Sequence, residues 1–407
     1  MSLPDRTKAI LLLTAHFPKS GDRGAKPLTI SEWARLVDWF LPKDIFPEDL
    51  FSSEGPHVLH DFKDSKITVE RVEALLARGP ALALAAEKWT RAGLWIMTRS
   101  DPEYPRRLKE RLRTGAPPLL FGCGKKSLLS GGGLAVVGSR KAPESELAFA
   151  RELGQKASQD GFSVVSGGAR GVDEASMLGA LEADGTSIGV LANGLLSATS
   201  SAKYRQHLMD QNLVLVSTFS PEAGFNVGNA MQRNKYIYCL ADACVVVHSG
   251  TKGGTMTGAM EDLKNQWVPL WVRRTEQRSI GNELIVQQGG RWLPPLREIE
   301  IGYLSGVTAK SEPQSDLFAG GREEVSKVAE PQSEAFLPST GASVATTLYD
   351  YFLEKIAVMC ADAPQTPAYL KEQLGLESAQ FNAWLKRAVE DGALEKLTRP
   401  VRYQVKT

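Results

Sequence analysis

From Leu134 to Arg273 short apolar runs recur with stretches of helical period between them: LAVVGS, FSVVSGG, TSIGVLANG, LVLVSTF, ACVVVHSG and VPLWVR. Each run is continuously apolar rather than alternating, which marks a strand buried on both faces, and the intervening helices predict a parallel sheet covered on both sides. The pattern therefore predicts an α/β, Rossmann-like doubly wound domain over 116–305. Upstream, 1–115 reads as a helical N-terminal module. TISEWARLVDWFL opens on Thr29 or Ser31 as an N-cap, and the segment running into ALALAAEKWTRAG repeats apolar residues at i, i+3 and i+4. Between the two, SDPEYPRRLKERLRTGAPPLLFGCG mixes prolines with an extended apolar stretch and reads as a connector that docks onto the sheet domain.

Beyond Gly302 the period is lost. The segment 306–343 is rich in Ser, Glu, Pro, Gly and Gln, repeats EPQS at Glu312 and Glu330, and offers too little apolar surface to offset chain entropy, so it reads as a disordered linker. From 344 to 407 the pattern predicts three helices and a short hairpin, with Pro367 opening one helix and Gly392 just past another. That order is winged-helix-like. The exposed face of its third helix carries Gln380, Asn382 and Lys386 beside several acids, a set that suits protein contact or weak duplex binding.

The 407 residues hold 48 Lys and Arg against 47 Asp and Glu, which excludes a protein that coats nucleic acid through its overall charge. Any polyanion site must be local. Cys123, Cys239, Cys244 and Cys360 form no metal-ligand spacing and read as reduced core residues of a cytoplasmic protein. The apolar patch near the N-terminus is too short to span a membrane, and no metal or cofactor motif stands out.

Four glycine-rich or basic loops are read beyond the carboxyl ends of the predicted strands: VGSRK with Gly138, Ser139, Arg140 and Lys141; SGGARGVD with Gly167, Gly168, Arg170 and Gly171; QRNK with Arg233, Asn234 and Lys235; and SGTKGGTMTG with Lys252 and Gly254. In a doubly wound sheet such loops let backbone N–H groups and helix N-termini approach an anion, while basic side chains neutralise it. One such loop is an ordinary tight turn; four on one edge suit phosphates. None is a GxGxxG or a GK[ST] loop, which disfavours a dinucleotide dehydrogenase or a P-loop ATPase. Asp173 is placed to orient Arg170, Tyr204 to stack a base, and the eight tryptophans to fill the core.

LAVVGSR, VVSGGARGVDEAS, RNKYIYCLADACVVV and KGGTMTGAMED, in this order and preceded by DPEYPRRL and PPLLFG, resemble the DNA-processing protein DprA (Smf) family. The resemblance covers Ser100 to about Pro295. It implies a homodimer that binds single-stranded DNA and loads a RecA-type recombinase in natural transformation, without a cofactor and without metabolic catalysis. The four segments above would face the DNA. The chain departs from the family at Ser176 and Met177, at Pro143, in SATSSAKYRQHL, and at Ala230 and Met231 where an FP pair precedes the RN motif. These departures mark a divergent member, open to a task such as phage defence.

The alternative is a nucleotide-sensing protein or a lonely-guy-like phosphoribohydrolase, which GGTMTGAMED resembles loosely, with Thr255 holding phosphate and Glu261 assisting catalysis. The glycine and glutamate spacing does not match, and Glu261 reads better as a solvated helix residue. Finally, PQSDLFAG in the linker spaces Gln314, Leu317 and Phe318 like the QxxLF peptides that dock on the sliding clamp.

Overall fold

The apolar runs become strands of one nine-stranded sheet in the computed structural model, which describes residues 3–17, 25–52, 55–275, 279–306 and, with gaps, 348–405. The strands are β1 (Trp95–Thr98), β2 (Leu119–Gly124), β3 (Leu134–Val137), β4 (Val164–Ser166), β5 (Ser187–Val190), β6 (Leu213–Ser217), β7 (Ala243–Val246), β8 (Leu270–Val272) and β9 (Arg291–Trp292). Their order is β1-β2-β6-β5-β4-β3-β7-β8-β9. From β6 to β9 every pairing is parallel, while β2 joins β6 and β1 joins β2 antiparallel. The predicted α/β doubly wound architecture is therefore the one observed.

Residue parity along the strands divides the core in two. Leu134, Val136, Leu213, Leu215, Ala243 and Val245 face the helices Glu144–Gln159 and Val172–Glu182, in a core that continues into the N-terminal helices through Leu11, Leu36 and Trp89. Ala135, Val137, Val214, Val216, Cys244 and Val246 face the helices Val227–Leu240 and Gly254–Asn265. Burying one such Val or Leu side chain contributes about 1.5–3 kcal/mol, so a sheet covered on both faces is strongly favoured. All four cysteines are buried and free, and none of the eight tryptophans is exposed.

The segment read as wholly helical contains β1. Gly93, at φ +73, ends the helix Gly79–Arg91, and WIMT then pairs in register with Phe121 and its neighbours. Four residues are too few to show a period of their own, and pairing with β2 decides their conformation. The connector docks as expected. Arg107 pairs with Asp242 at 2.7 Å, and Arg111 Nη1 donates to the carbonyls of Tyr238, Cys239 and Ala241 at 3.3, 2.9 and 2.6 Å. A cation on the last carbonyls of a helix satisfies acceptors that have no partner within it. This fixes the far end of Val227–Leu240, whose near end reaches the candidate site.

The chain divides into two units, Met1–Ser315 and Asp316–Thr407. In the second, the helices Leu348–Met359 and Pro367–Leu374 precede a hairpin of β10 (Leu394–Thr398) and β11 (Val401–Val405), and Gln365 bridges to Tyr403. Phe352, Ile356, Leu370, Phe381 and Leu394 form its core. Pro367 opens a helix and Gly392 lies at φ +75. Residues 307–347 lie outside the described residues, and with them nearly all of the predicted linker and the motif Gln314, Leu317 and Phe318; so do Gln380, Asn382 and Lys386. No helix among the described residues is long and apolar enough to cross a membrane.

Candidate nucleic-acid interface

Strands β3 and β7 are neighbours, yet the chain leaves β3 towards β4, β5 and β6 on one side and leaves β7 towards β8 and β9 on the other. This reversal opens a crevice beyond the carboxyl ends of β3 and β7, the place where ligands bind in open α/β sheets. A cavity of about 400 Å³ lies there. The loop after β3, the start of the helix after β4, the helix Val227–Leu240 and the loop after β7 all line it.

Local chemistry fixes each wall. Gly171, at φ +91, brings the loop after β4 against the backbone of Ser139 and Arg140, where a Cβ would meet Arg140 Cα at 2.8 Å. Buried Asn282 accepts from Ser249 N at 2.8 Å and donates to Val247 O and Arg273 O, both at 2.9 Å, which pins the loop after β7. The Asn226 side chain caps the helix Val227–Leu240 by accepting from Gly228 N and Asn229 N. Asn234 Nδ2 then donates to Gly254 O at 3.1 Å and ties this helix to the next.

Among the charged residues of the lining, four are cations and one is an acid. Lys141 and Lys252 are exposed there, and the exposed guanidinium of Arg140 lies 4.9 Å from the ring centroid of Phe225. Phe225 is 55% exposed and Val227 70%, so an aromatic and an aliphatic side chain form the lip. Helix Gly254–Asn265 starts at Gly253, φ +111, without a side-chain cap, and its first turn lines the cavity. Backbone N–H groups there have no intrahelical acceptor and favour an anion.

Deeper in, Arg233 is only 3% exposed. Its guanidinium sits over Gly167, where a side chain would collide with it and with Asp173 Oδ2. Asp173 is the sole carboxylate among the lining residues. Burial pushes it up to about 6, while the charges of Arg233 and Arg140 and the N–H groups of Gly138 and Gly167 pull the other way. Burial likewise lowers Arg233 against the attraction of Asp173. For both members of the pair desolvation outweighs attraction.

Gly138, Ser139, Arg140, Lys141, Arg233, Asn234, Lys252 and Gly254 thus line one cleft. Gly167, Gly168 and Gly171 shape the loop without lining the cavity, Arg170 is exposed outside its lining, and Lys235 Nζ lies 5.3 Å over the ring of Tyr236. Three expectations need correcting. QRNK, read as a loop at a strand end, lies inside the helix Val227–Leu240, so a helix face and not a turn presents Arg233 and Asn234. The cations acting on Asp173 are Arg233 and Arg140, not Arg170, because the first turn of Val172–Glu182 carries the carboxylate into the interior. Tyr204 is 6% exposed, with its hydroxyl beneath Gly168, and cannot stack a base. Glu261 is half-buried and does not line the cleft, although Thr255 does. Phe225 was missed; its one signal was an aromatic residue between Gly224 and Asn226 in an otherwise polar turn.

The model of the family described as DNA recombination-mediator protein A matches residues 95–300, just over half of the chain. The chain belongs to that family. The DNA processing protein DprA of Bacillus subtilis is 27% identical over 188 residues, which cover 46% of this chain and 62% of that protein. Protein Smf of a Synechocystis strain is 28% identical over 170 residues, 40% of this chain and 42% of its own length. The chain therefore spans roughly half of the curated relatives it matches. The X-ray structure of DNA processing protein A from Streptococcus pneumoniae superposes with a TM-score of 0.56 at 18% identity, covering 73% of this chain and 97% of that one, which shows the shared fold. In this DprA/Smf chain Ala230 and Met231 both line the cleft, and Phe225 is exposed at its lip.

Proposed function

We propose that the cleft binds single-stranded DNA and that the protein passes the strand to a RecA-type recombinase, working as a homodimer. The observation that carries this reading is the convergence of Arg140, Lys141, Lys252, Arg233 and an uncapped helix N-terminus on one crevice whose sole lining carboxylate, Asp173, is offset by the charges of Arg233 and Arg140. Phosphates would lie along Lys141, Lys252 and the loop after β3, while a base stacks on Phe225 beside the Arg140 guanidinium. Binding of this kind is sequence-tolerant and falls with salt. It serves natural transformation or, given the departures from the family pattern, phage defence. In the linker, Gln314, Leu317 and Phe318 dock on the sliding clamp in this reading, and Leu317→Ala with Phe318→Ala abolishes capture by purified clamp.

The cavity volume, that of a small-ligand pocket, favours a second reading as a nucleotide sensor. Fluorescence anisotropy with labelled oligo-dT and a matching duplex at two salt concentrations, in competition with mononucleotides, separates the two. Strand binding that neither duplex nor mononucleotide displaces supports the DNA reading. Absence of strand binding, or its full displacement by a mononucleotide, overturns it.

A further inference from the structure

Arg233 is built differently from the other cations of the cleft. Arg140, Lys141 and Lys252 are exposed and keep their water, whereas Arg233 is 3% exposed and its Nε and Nη1 have no hydrogen-bond partner among the described residues. Buried charged donors left bare are costly, so such a group is held in place for an acceptor that completes it. Asp173 attracts the guanidinium but takes up neither of these atoms. Gly167 clears the space the guanidinium occupies. The first turn of the helix Gly254–Asn265, uncapped at Gly253, lines the same cavity and is tied to the Arg233 helix through Asn234.

The depth of these donors selects among phosphates. An internal diester has a sugar on either side and only two free oxygens, so the strand would have to enter and leave the floor of the cleft. A phosphomonoester has one substituent and three free oxygens, carries close to two charges near neutral pH, and can enter end-on to meet a guanidinium in a bidentate way. Resting on the reading of the cleft as a site for single-stranded DNA, we infer that Arg233 and the first turn of Gly254–Asn265 form a subsite for a terminal phosphomonoester, the group shared by a phosphorylated strand end and a nucleoside monophosphate. The protein then engages strand ends through this floor and the adjoining nucleotides through the exposed rim.

The test compares the full chain on two oligo-dT strands labelled at the 3′ end, one with a 5′-phosphate and one with a 5′-hydroxyl, by anisotropy. Thymidine monophosphate and thymidine are titrated in parallel by calorimetry. A phosphorylated end bound about tenfold tighter or more, the effect of one good charge-assisted contact, supports the subsite with a strand end as its source. Equal strands, with thymidine monophosphate bound at least tenfold better than thymidine, support it with a free nucleotide as its source. Equal strands together with equal nucleoside and nucleotide overturn it while leaving the DNA reading intact. If neither strand binds but the monophosphate does, the subsite stands and the DNA reading falls. Arg233→Met removes the phosphate increment, and an increment kept in that variant overturns the assignment. The comparison between ligands on the unaltered protein decides the matter even if the variant fails to fold.

Discussion

Replacing Asp173 by Asn tests whether burial governs the Asp173–Arg233 pair. The carboxyl is 7% exposed and held at about 6, against an ordinary value of 3.8. The sign follows from proton uptake. Below about pH 4 the group is neutral in both folded and unfolded chains and makes no difference. Between about pH 4 and 6 the unfolded chain releases the proton and the folded one keeps it, so stability falls as pH rises. Above about pH 6 the folded protein bears the whole penalty, which for roughly two units is about 3 kcal/mol. The attraction of Arg233 is already contained in that balance, since a carboxyl with no cation beside it would be pushed higher still. Asp173→Asn should therefore leave urea stability unchanged at pH 4 and raise it by up to about 3 kcal/mol at pH 8, read from the midpoint of tryptophan fluorescence at pH 4, 6 and 8. An equal effect at both extremes would show that Asn acts by packing. A loss at pH 8 would show that the ion pair outweighs burial, and the reasoning would be wrong.

Arg140→Ala should weaken oligo-dT binding and lower the salt slope by about 0.7, the value for one phosphate contact on a single strand, measured by anisotropy across a salt series. Phe225→Ala should weaken the same binding by about 1–3 kcal/mol without changing that slope, because stacking releases no counterions. Gly167→Ala should cost about 1–3 kcal/mol of stability in urea unfolding, since the added Cβ falls on the Arg233 guanidinium. Tyr204→Phe removes a buried hydroxyl that has no partner among the described residues, so the midpoint should hold or rise and strand binding should be unchanged; a loss of binding would restore Tyr204 as a base platform.

Six strands and the glycine loops after β3, β4 and β7 are legible in the sequence because each is a local signal, whereas QRNK, read as a loop, lies inside a helix. A fully buried parallel strand reads as an unbroken apolar run, and a loop that must approach an anion reads as glycine beside a cation. The strands β1, β2 and β9 are not legible in the same way. Strands β1 and β9 are short, and β1 and β2 lie in a helical or proline-rich context, so that pairing with a partner decides their state. Burial depth also escapes the sequence. Arg140, Arg170 and Arg233 look alike as letters, yet one lies beside an aromatic ring at the rim, one is exposed outside the cleft lining, and one is sealed in the floor with two donors unpaired among the described residues. Asp173 and Tyr204 were misread for the same reason. The sequence by itself determined the sheet class and the chemistry available at its edge, through the period of side chains and the conformational freedom of glycine. Only the tertiary structure decided which of those side chains converge and which lose their water, because convergence depends on the reversal of strand order between β3 and β7 and desolvation on everything packed around it.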